Sequence, residues 1–353
     1  MTIAAAHPSV VAPVSFRHLF HLTDRIGLFE HADHTRPRRD HGYCVDDVAR
    51  GLVVVAREAH PSPELTRLAT TYLHFVLDAQ GPDGGFRNRR TVLGDWTDEP
   101  SVEDCWGRAL WALGTAVARA PGLADWQALG AFTAGAQLRS PWHRSMAFAA
   151  LGAAEVLTIS PLHVPARTLL GDAARLIAGP TPGMGIAPTV VPGWRWPEPR
   201  LRYANAALAE TLIAAGSLLG VWKWLTEGLG MLAWLLETET SAGHLSPTPA
   251  HGWALGEPRP AFDQQPIEVA ALADACSRAF DVTADPRWQA AVLLCADWFD
   301  GANDAATTLR DPLSGGGCDG LHEFGRNENQ GAESTIALIS TMQQAQRVGV
   351  AGL

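Results

Sequence analysis

The sequence predicts an all-α chain whose helices close into a ring of six hairpins, and three observations predict it. Strand signals are nearly absent, helices of two compositions alternate, and one short motif returns in frame along the chain. The periodicity places twelve helices, over residues 14–31, 46–59, 64–80, 102–119, 125–139, 143–158, 164–178, 203–219, 222–238, 265–282, 286–300 and 330–347. One kind is amphipathic: Leu65, Leu68, Tyr72, Val76 and Ala79 share a face at helical spacing, as do Trp288, Val292, Cys295 and Phe299. The other kind, over 108–118, 146–157 and 206–219, is rich in Ala and Leu and apolar nearly all round, so protein must surround it. Amphipathic helices outside and fully apolar helices inside describe a double ring.

The repeat supports closure. Asp46-Asp-Val-Ala-Arg-Gly-Leu52 aligns with Asp104-Cys-Trp-Gly-Arg-Ala-Leu110, and the same frame finds Ser145, Asn205, Gln265 and Gln330. Each is a polar residue leading into an apolar helix, at intervals of 58, 41, 60, 60 and 65 residues, about one helical hairpin plus a variable loop. With 14–31 left to partner the last hairpin, the six units form an (α/α)6 barrel. We therefore expect a single domain over 1–353, with 1–13 a poorly ordered tail. An open helical solenoid is the rival, but these intervals exceed those of the common solenoids. Long loops at 80–101, 179–202, 241–263 and 303–329 each precede an inner helix and so crowd one end of the ring.

Composition narrows the function. Of the 353 residues 47% are hydrophobic, which is too much for a disordered chain. The formal net charge is −10, and no basic stripe is interleaved with aromatics, which argues against nucleic acid as a partner. Apolar runs fall short of the roughly 18 residues a membrane span needs. The segment from Met1 to Val14 carries no Lys or Arg and lacks the pattern of a secretory signal. Five cysteines without CxxC spacing fit a reduced, cytoplasmic setting, and no motif calls for a metal or cofactor.

The candidate chemistry lies where inner helices begin. Asp46-Asp47 and Glu103-Asp104 open two of them, while Gln265-Pro-Ile-Glu268 and Gln330-Gly-Ala-Glu333 open two more at the same spacing. Acidic residues at a helix start cap free N–H groups and oppose the dipole, which explains any one of them alone. In a ring, however, these starts share one mouth, and adjacent helical residues point about 100° apart, so one Asp of a pair can cap while the other faces inward. Trp96, Trp142, Trp194, Trp196 and Trp253 lie in or beside the long loops, placed either to pin them or to stack on pyranose rings. His41, Tyr43, Arg108, His143, Tyr203, Gln264, His322 and Asn329 add hydrogen-bonding groups nearby, with Arg108 equally suited to pairing with Asp104.

On these residues the chain resembles the six-hairpin glycosidase superfamily, whose members hydrolyse, phosphorolyse or epimerise sugars. It is most similar to bacterial proteins labelled glycosyltransferases that share two segments. Here they read Gly42-Tyr-Cys-Val-Asp-Asp-Val-Ala-Arg50 and Asn329-Gln-Gly-Ala-Glu-Ser-Thr335, with intermediate matches at Glu103-Asp-Cys-Trp-Gly-Arg108 and Phe262-Asp-Gln-Gln-Pro-Ile-Glu268. Val48 stands where the resemblance implies Asn. The chain lacks the Gly-rich strand-to-helix turn that binds a nucleotide sugar. The resemblance implies a glycoside or oligosaccharide substrate. A hydrolase needs one protonated carboxyl at the leaving oxygen and one ionised carboxylate opposite, about 6.5–9.5 Å apart if the anomeric centre inverts. We expect Asp47 or Asp46 on one side and Asp104, Glu268 or Glu333 on the other. Glu103, Arg108, His41, Tyr43, Trp96, His143, Trp196, Tyr203, Asn205, Gln264, Gln265, His322, Asn329 and Gln330 are the candidate sugar-binding groups. The alternatives are an epimerase or isomerase using His143, His244, His251 or His322, a phosphorylase, and a non-catalytic glycan-binding ring.

Overall fold

A computed structural model describes residues 13–120, 122–123, 126–179 and 193–350. Twelve helices are present among them: α1 (Arg17–His21), α2 (Val45–Ala56), α3 (Pro63–Asp78), α4 (Asp104–Arg119), α5 (Trp126–Gly135), α6 (His143–Ile159), α7 (Val164–Ala178), α8 (Ala206–Leu219), α9 (Trp222–Thr238), α10 (Pro266–Thr283), α11 (Pro286–Phe299) and α12 (Ala332–Val350). The even-numbered helices form the inner ring. Each packs on the next, and α12 returns to pack on α2, so the ring closes. The odd-numbered helices lie outside: α3, α5, α7, α9 and α11 each pack on the inner helix before them, and α1 packs on α12. The strands among the described residues are two- and three-residue antiparallel pairs, three of them local hairpins and one joining Tyr43–Cys44 to Arg89–Arg90 across α2 and α3. The described part of the loop at 179–202 ends at 179 and resumes at 193, and the expected tail at 1–13 falls almost entirely outside the described residues. No helix among them is long and apolar enough to cross a membrane.

The expected helix at 14–31 is corrected to a single five-residue turn, 17–21. Local hydrogen bonding explains the change. The Asp24 carboxylate accepts the backbone N–H groups of Ile26 and Gly27 at 2.8 and 3.2 Å, turning the chain where a helix would need those donors. The chain then runs extended, with Phe29 bridged to Tyr43 at the start of the first long hairpin.

Small residues set how closely the inner helices approach. A Cβ added at Gly107 would lie 2.3 Å from the carbonyl oxygen of Ser145, one at Gly114 would lie 2.2 Å from that of Gly152, and one at Gly152 would lie 2.2 Å from that of Leu110. The backbones of α4 and α6 therefore touch, and overpacking the contact forces them apart. We expect Gly152→Ala to cost about 1–3 kcal/mol of stability. Gly230, on the outer helix α9, has nothing within 4 Å of its added Cβ. Gly230→Ala is expected to be neutral or to stabilise by up to about 1 kcal/mol through helix propensity. Denaturation midpoints of the two variants test the contrast, and a similar loss in both would refute it.

Candidate active site

The N-termini of the inner helices point to one end of the ring, and a cavity of about 290 Å³ opens there. Its lining comes from sequence-distant elements: Asp46, Asp47 and Arg50 of α2, Arg108 of α4, Gln265 at the cap of α10, and Glu333 and Ser334 of α12. Glu30, His31, Cys44, Asp319 and Gly331 complete it from the loops. Five carboxylates thus face one space. Positive helix ends help hold such a concentration of negative charge.

Two guanidinium groups organise it. Arg50 donates to Asp47 at 2.5 Å and, across the seam where the ring closes, to Glu333 at 2.7 Å. Arg108 donates to Asp46 at 2.8 Å and stands 3.3 Å from Asp104. The Arg108 Nε is buried without a hydrogen-bond partner among the described residues. These contacts split the acids electrostatically. At Asp46, burial raises the pKa, but Arg108 and Arg50 outweigh it and hold the group below the ordinary carboxylate range. Glu333 follows the same pattern: burial is outweighed by the Arg50 charge and hydrogen bond, and its pKa is lowered. Asp47 moves the other way, because burial dominates Arg50 and pushes it up to about 6. Asp319 is raised too, first by burial and then by the nearby Glu333, against the pull of the Gly331 N–H. One Asp319 oxygen accepts that N–H at 2.7 Å.

Several expected site residues lie elsewhere. Asp104 sits at the rim rather than in the lining, accepting from Ser145 at 3.0 Å and from the Tyr203 hydroxyl at 2.6 Å. Glu268 is buried beneath the start of α8, where it accepts the backbone N–H groups of Ala204 and Asn205 and the Asn205 side-chain amide. Its spacing matches that of Glu333, but its neighbour is a tight turn with free donors, so it braces backbone instead of facing the cavity. Asn205 is buried in that same network. Tyr43 belongs to the core, stacked on Phe29 with its hydroxyl donating to Asp24. Gln264 is fully buried, bonded to Trp298 and Asp304. Gln330 is buried against Ser314 and Asp311, and Asn329 holds the backbone N–H of His34. Glu103 and His143 stand at the rim, the latter 3.6 Å from Glu198. His322 lies in the Gly320–Asn327 hairpin, and His41 packs edge-on against His31. Of the other histidines proposed for proton transfer, His244 pairs with Asp304 and His251 is exposed in a loop.

The loop tryptophans largely hold one another. Trp194 contacts Trp234 and Trp253, and Trp196 stacks on Trp234. Trp96 packs on Phe75 and donates to Asp78. Trp142 is the exception, with 61% of its surface exposed.

Sequence reasoning missed Glu30, His31 and Arg50 as cavity residues, and it weighed Asp319 only as a cation ligand beside Asp46 and Asp47. Arg50 stood inside the repeat, four residues after Asp46, and its helical spacing was the available signal. Glu30, His31 and Asp319 sit in loops that carry no periodicity. Glu30, Cys44 and Asp47 bring possible metal ligands within 4.8 Å of one another. Arg89 pairs with Glu30 and Arg50 with Asp47, however, and burial holds the Cys44 thiol well above its usual pKa, so it donates to Asp47.

The whole ring can be compared with solved structures. A sugar epimerase from a ruminal bacterium superposes with a TM-score of 0.67 over 94% of this chain and 95% of its own, at 11% identity. The cellobiose 2-epimerase of Spirochaeta thermophila gives 0.66 over 95% and 93%, at 12% identity. The cellulase Cel9M of C. cellulolyticum, bound to cellobiose, gives 0.58 over 91% and 87%, at 9% identity. The fold is the (α/α)6 barrel. No family model matches the sequence, and no curated protein matches it.

Proposed function

We propose that the chain is a carbohydrate-active enzyme, and specifically a glycoside hydrolase working in the mouth cavity. The observation that carries this reading is the gathering of five carboxylates in one cavity, where Asp46 and Glu333 are held below the ordinary range while Asp47 and Asp319 are pushed above it. Glycosidic cleavage needs that division, a carboxyl that stays protonated and a carboxylate that stays ionised. Glu333 suits the base: it is ionised, 39% of its side chain is open, and Arg50 occupies only one of its oxygens in the contacts described. Asp319 suits the acid, since burial raises its pKa above the ordinary aspartate value and one oxygen is fixed by Gly331. Asp47 is raised as well, but Arg50 and the Cys44 thiol occupy both its oxygens, so it orients Arg50. Asp46 does the same for Arg108. Hydrolysis is favoured over transfer from a nucleotide sugar because the strands among the described residues form only short antiparallel pairs, with no parallel sheet to seat a nucleotide.

A screen of glycosides for released reducing ends tests the reading, and NMR of the first-formed anomer tests inversion. The pH profile is a sharper check. Turnover should need Asp319 protonated and Glu333 ionised. Activity therefore falls as pH rises through the raised pKa of Asp319, and its acid limb lies below the ordinary glutamate value of about 4.3. A rate that keeps climbing through pH 8 would remove Asp319 from the acid role.

The second reading is epimerisation or isomerisation of a free sugar. It is favoured by His31 in the lining and by the match to sugar epimerases across nearly the whole chain. It predicts no reducing-end release and deuterium uptake at a sugar carbon in heavy water.

A further inference from the structure

Beyond the cavity, the rim beside Asp104 carries an aromatic residue held in one pose yet left open. The Tyr203 hydroxyl donates to Asp104 at 2.6 Å, and the Arg144 guanidinium lies 4.9 Å from the ring centroid. Arg144 is itself fixed by Glu198 at 2.7 Å and Asn205 at 3.0 Å, and its Nε donates to the Tyr203 carbonyl. The next residue, Ala204, has φ +46°, an uncommon conformation for a residue with a side chain. Glu268 holds that turn through the Ala204 and Asn205 N–H groups. A buried carboxylate and a strained turn are thus used to present one tyrosine, which remains 37% exposed. Trp142, at the cap of the adjacent inner helix α6, is 61% exposed. The rim joins the cavity directly, because Arg108 contacts both Asp104 and Asp46.

We infer that Tyr203 and Trp142 form a platform for a second sugar ring, so that the substrate is an uncharged oligosaccharide rather than a simple monoglycoside. This rests on the hydrolase reading of the cavity. Rigid aromatic faces beside a few fixed polar groups are how concave sites seat an amphipathic ring. The exposed Glu103 carboxylate, beside Asp104 on the same rim, disfavours a uronate or a phosphate there, so the occupant is uncharged.

The test compares KM for gluco- and manno-configured trisaccharides, in α and β linkage, with KM for the matching aryl monoglycosides. In Trp142→Ala and Tyr203→Ala the trisaccharide KM should rise at least tenfold relative to the monoglycoside KM. Tyr203→Phe, which keeps the ring and loses the hydroxyl, should hold the ratio near that of the parent. An unchanged ratio, or equal losses on both substrate types, overturns the platform. If the parent cleaves no glycoside in the panel, the hydrolase reading fails by itself. The platform is then judged by tryptophan fluorescence on adding the same trisaccharides: quenching in the parent that disappears in Trp142→Ala supports it, and no quenching in the parent overturns it.

Discussion

Glu333→Gln should lower kcat on the hydrolysed glycoside by about 10²–10⁴-fold, the range lost when a positioned acid or base is removed, with KM within a few-fold of the parent. The substitution is nearly isosteric, so the amide can still accept from Arg50, and the cavity keeps its shape while the base loses its charge. Asp319→Asn should give a loss of the same order, but only on glycosides with poor leaving groups. An aryl glycoside with an acidic phenol needs little protonation of its leaving oxygen and should be cleaved at a much higher fraction of the parent rate. The two variants therefore separate base from acid, because a good leaving group does not relieve the lack of a base. Steady-state rates on both substrate types decide it. Parent-like activity of Glu333→Gln would move the base to another carboxylate, and equal losses of Asp319→Asn on both substrates would deny Asp319 the acid role.

The ring was legible in the sequence for a physical reason. A helix wedged between neighbours must be apolar on every side, and α6 and α8 are buried along nearly their whole length. That demand is written into composition, so eleven of the twelve helices fall within a few residues of their expected bounds, allowing for the undescribed start of the helix at 125–139. The twelfth failed where side chains compete with the backbone: Asp24 takes the donors that a helix through 14–31 would use. The site was legible only in part. The helix-start rule found Asp46, Asp47, Gln265 and Glu333, because a ring fixes where helices begin, and Arg108 entered only as a hydrogen-bonding group one turn after Asp104. It could not tell Glu333 from Glu268, since what separates them is the turn at Ala204, contributed by a different hairpin. Asp319 and Glu30 arrive from loops whose positions follow from tertiary contacts alone.

Arg50→Met should destabilise the fold by about 3–5 kcal/mol, the cost of removing one partner from a buried ion pair. Arg50 has 10% of its side chain exposed and Asp47 only 3%, so this half of the network is screened little by water. The Glu333 half adds less, because that carboxylate is 39% open. The loss should also depend on pH in a definite direction. Asp47 already titrates at about 6 in the fold, above the ordinary aspartate value of about 3.9, because burial outweighs Arg50. The folded state therefore holds an extra proton between those values, and the stability associated with it disappears as pH rises through 6. Without Arg50 the folded pKa climbs further, and the loss continues to higher pH. Glu333 acts in the same sense: its lowered pKa contributes stability above the ordinary glutamate value, and the variant forfeits that contribution at neutral pH. The gap between parent and variant should accordingly be smaller near pH 5, where mainly the Glu333 contribution is lost, and wider at pH 8, as read from denaturant midpoints. A gap that is constant across that range, or below about 1 kcal/mol throughout, would mean that Arg50 merely fills space where α12 meets α2, and the electrostatic division of the cavity acids would lose its foundation.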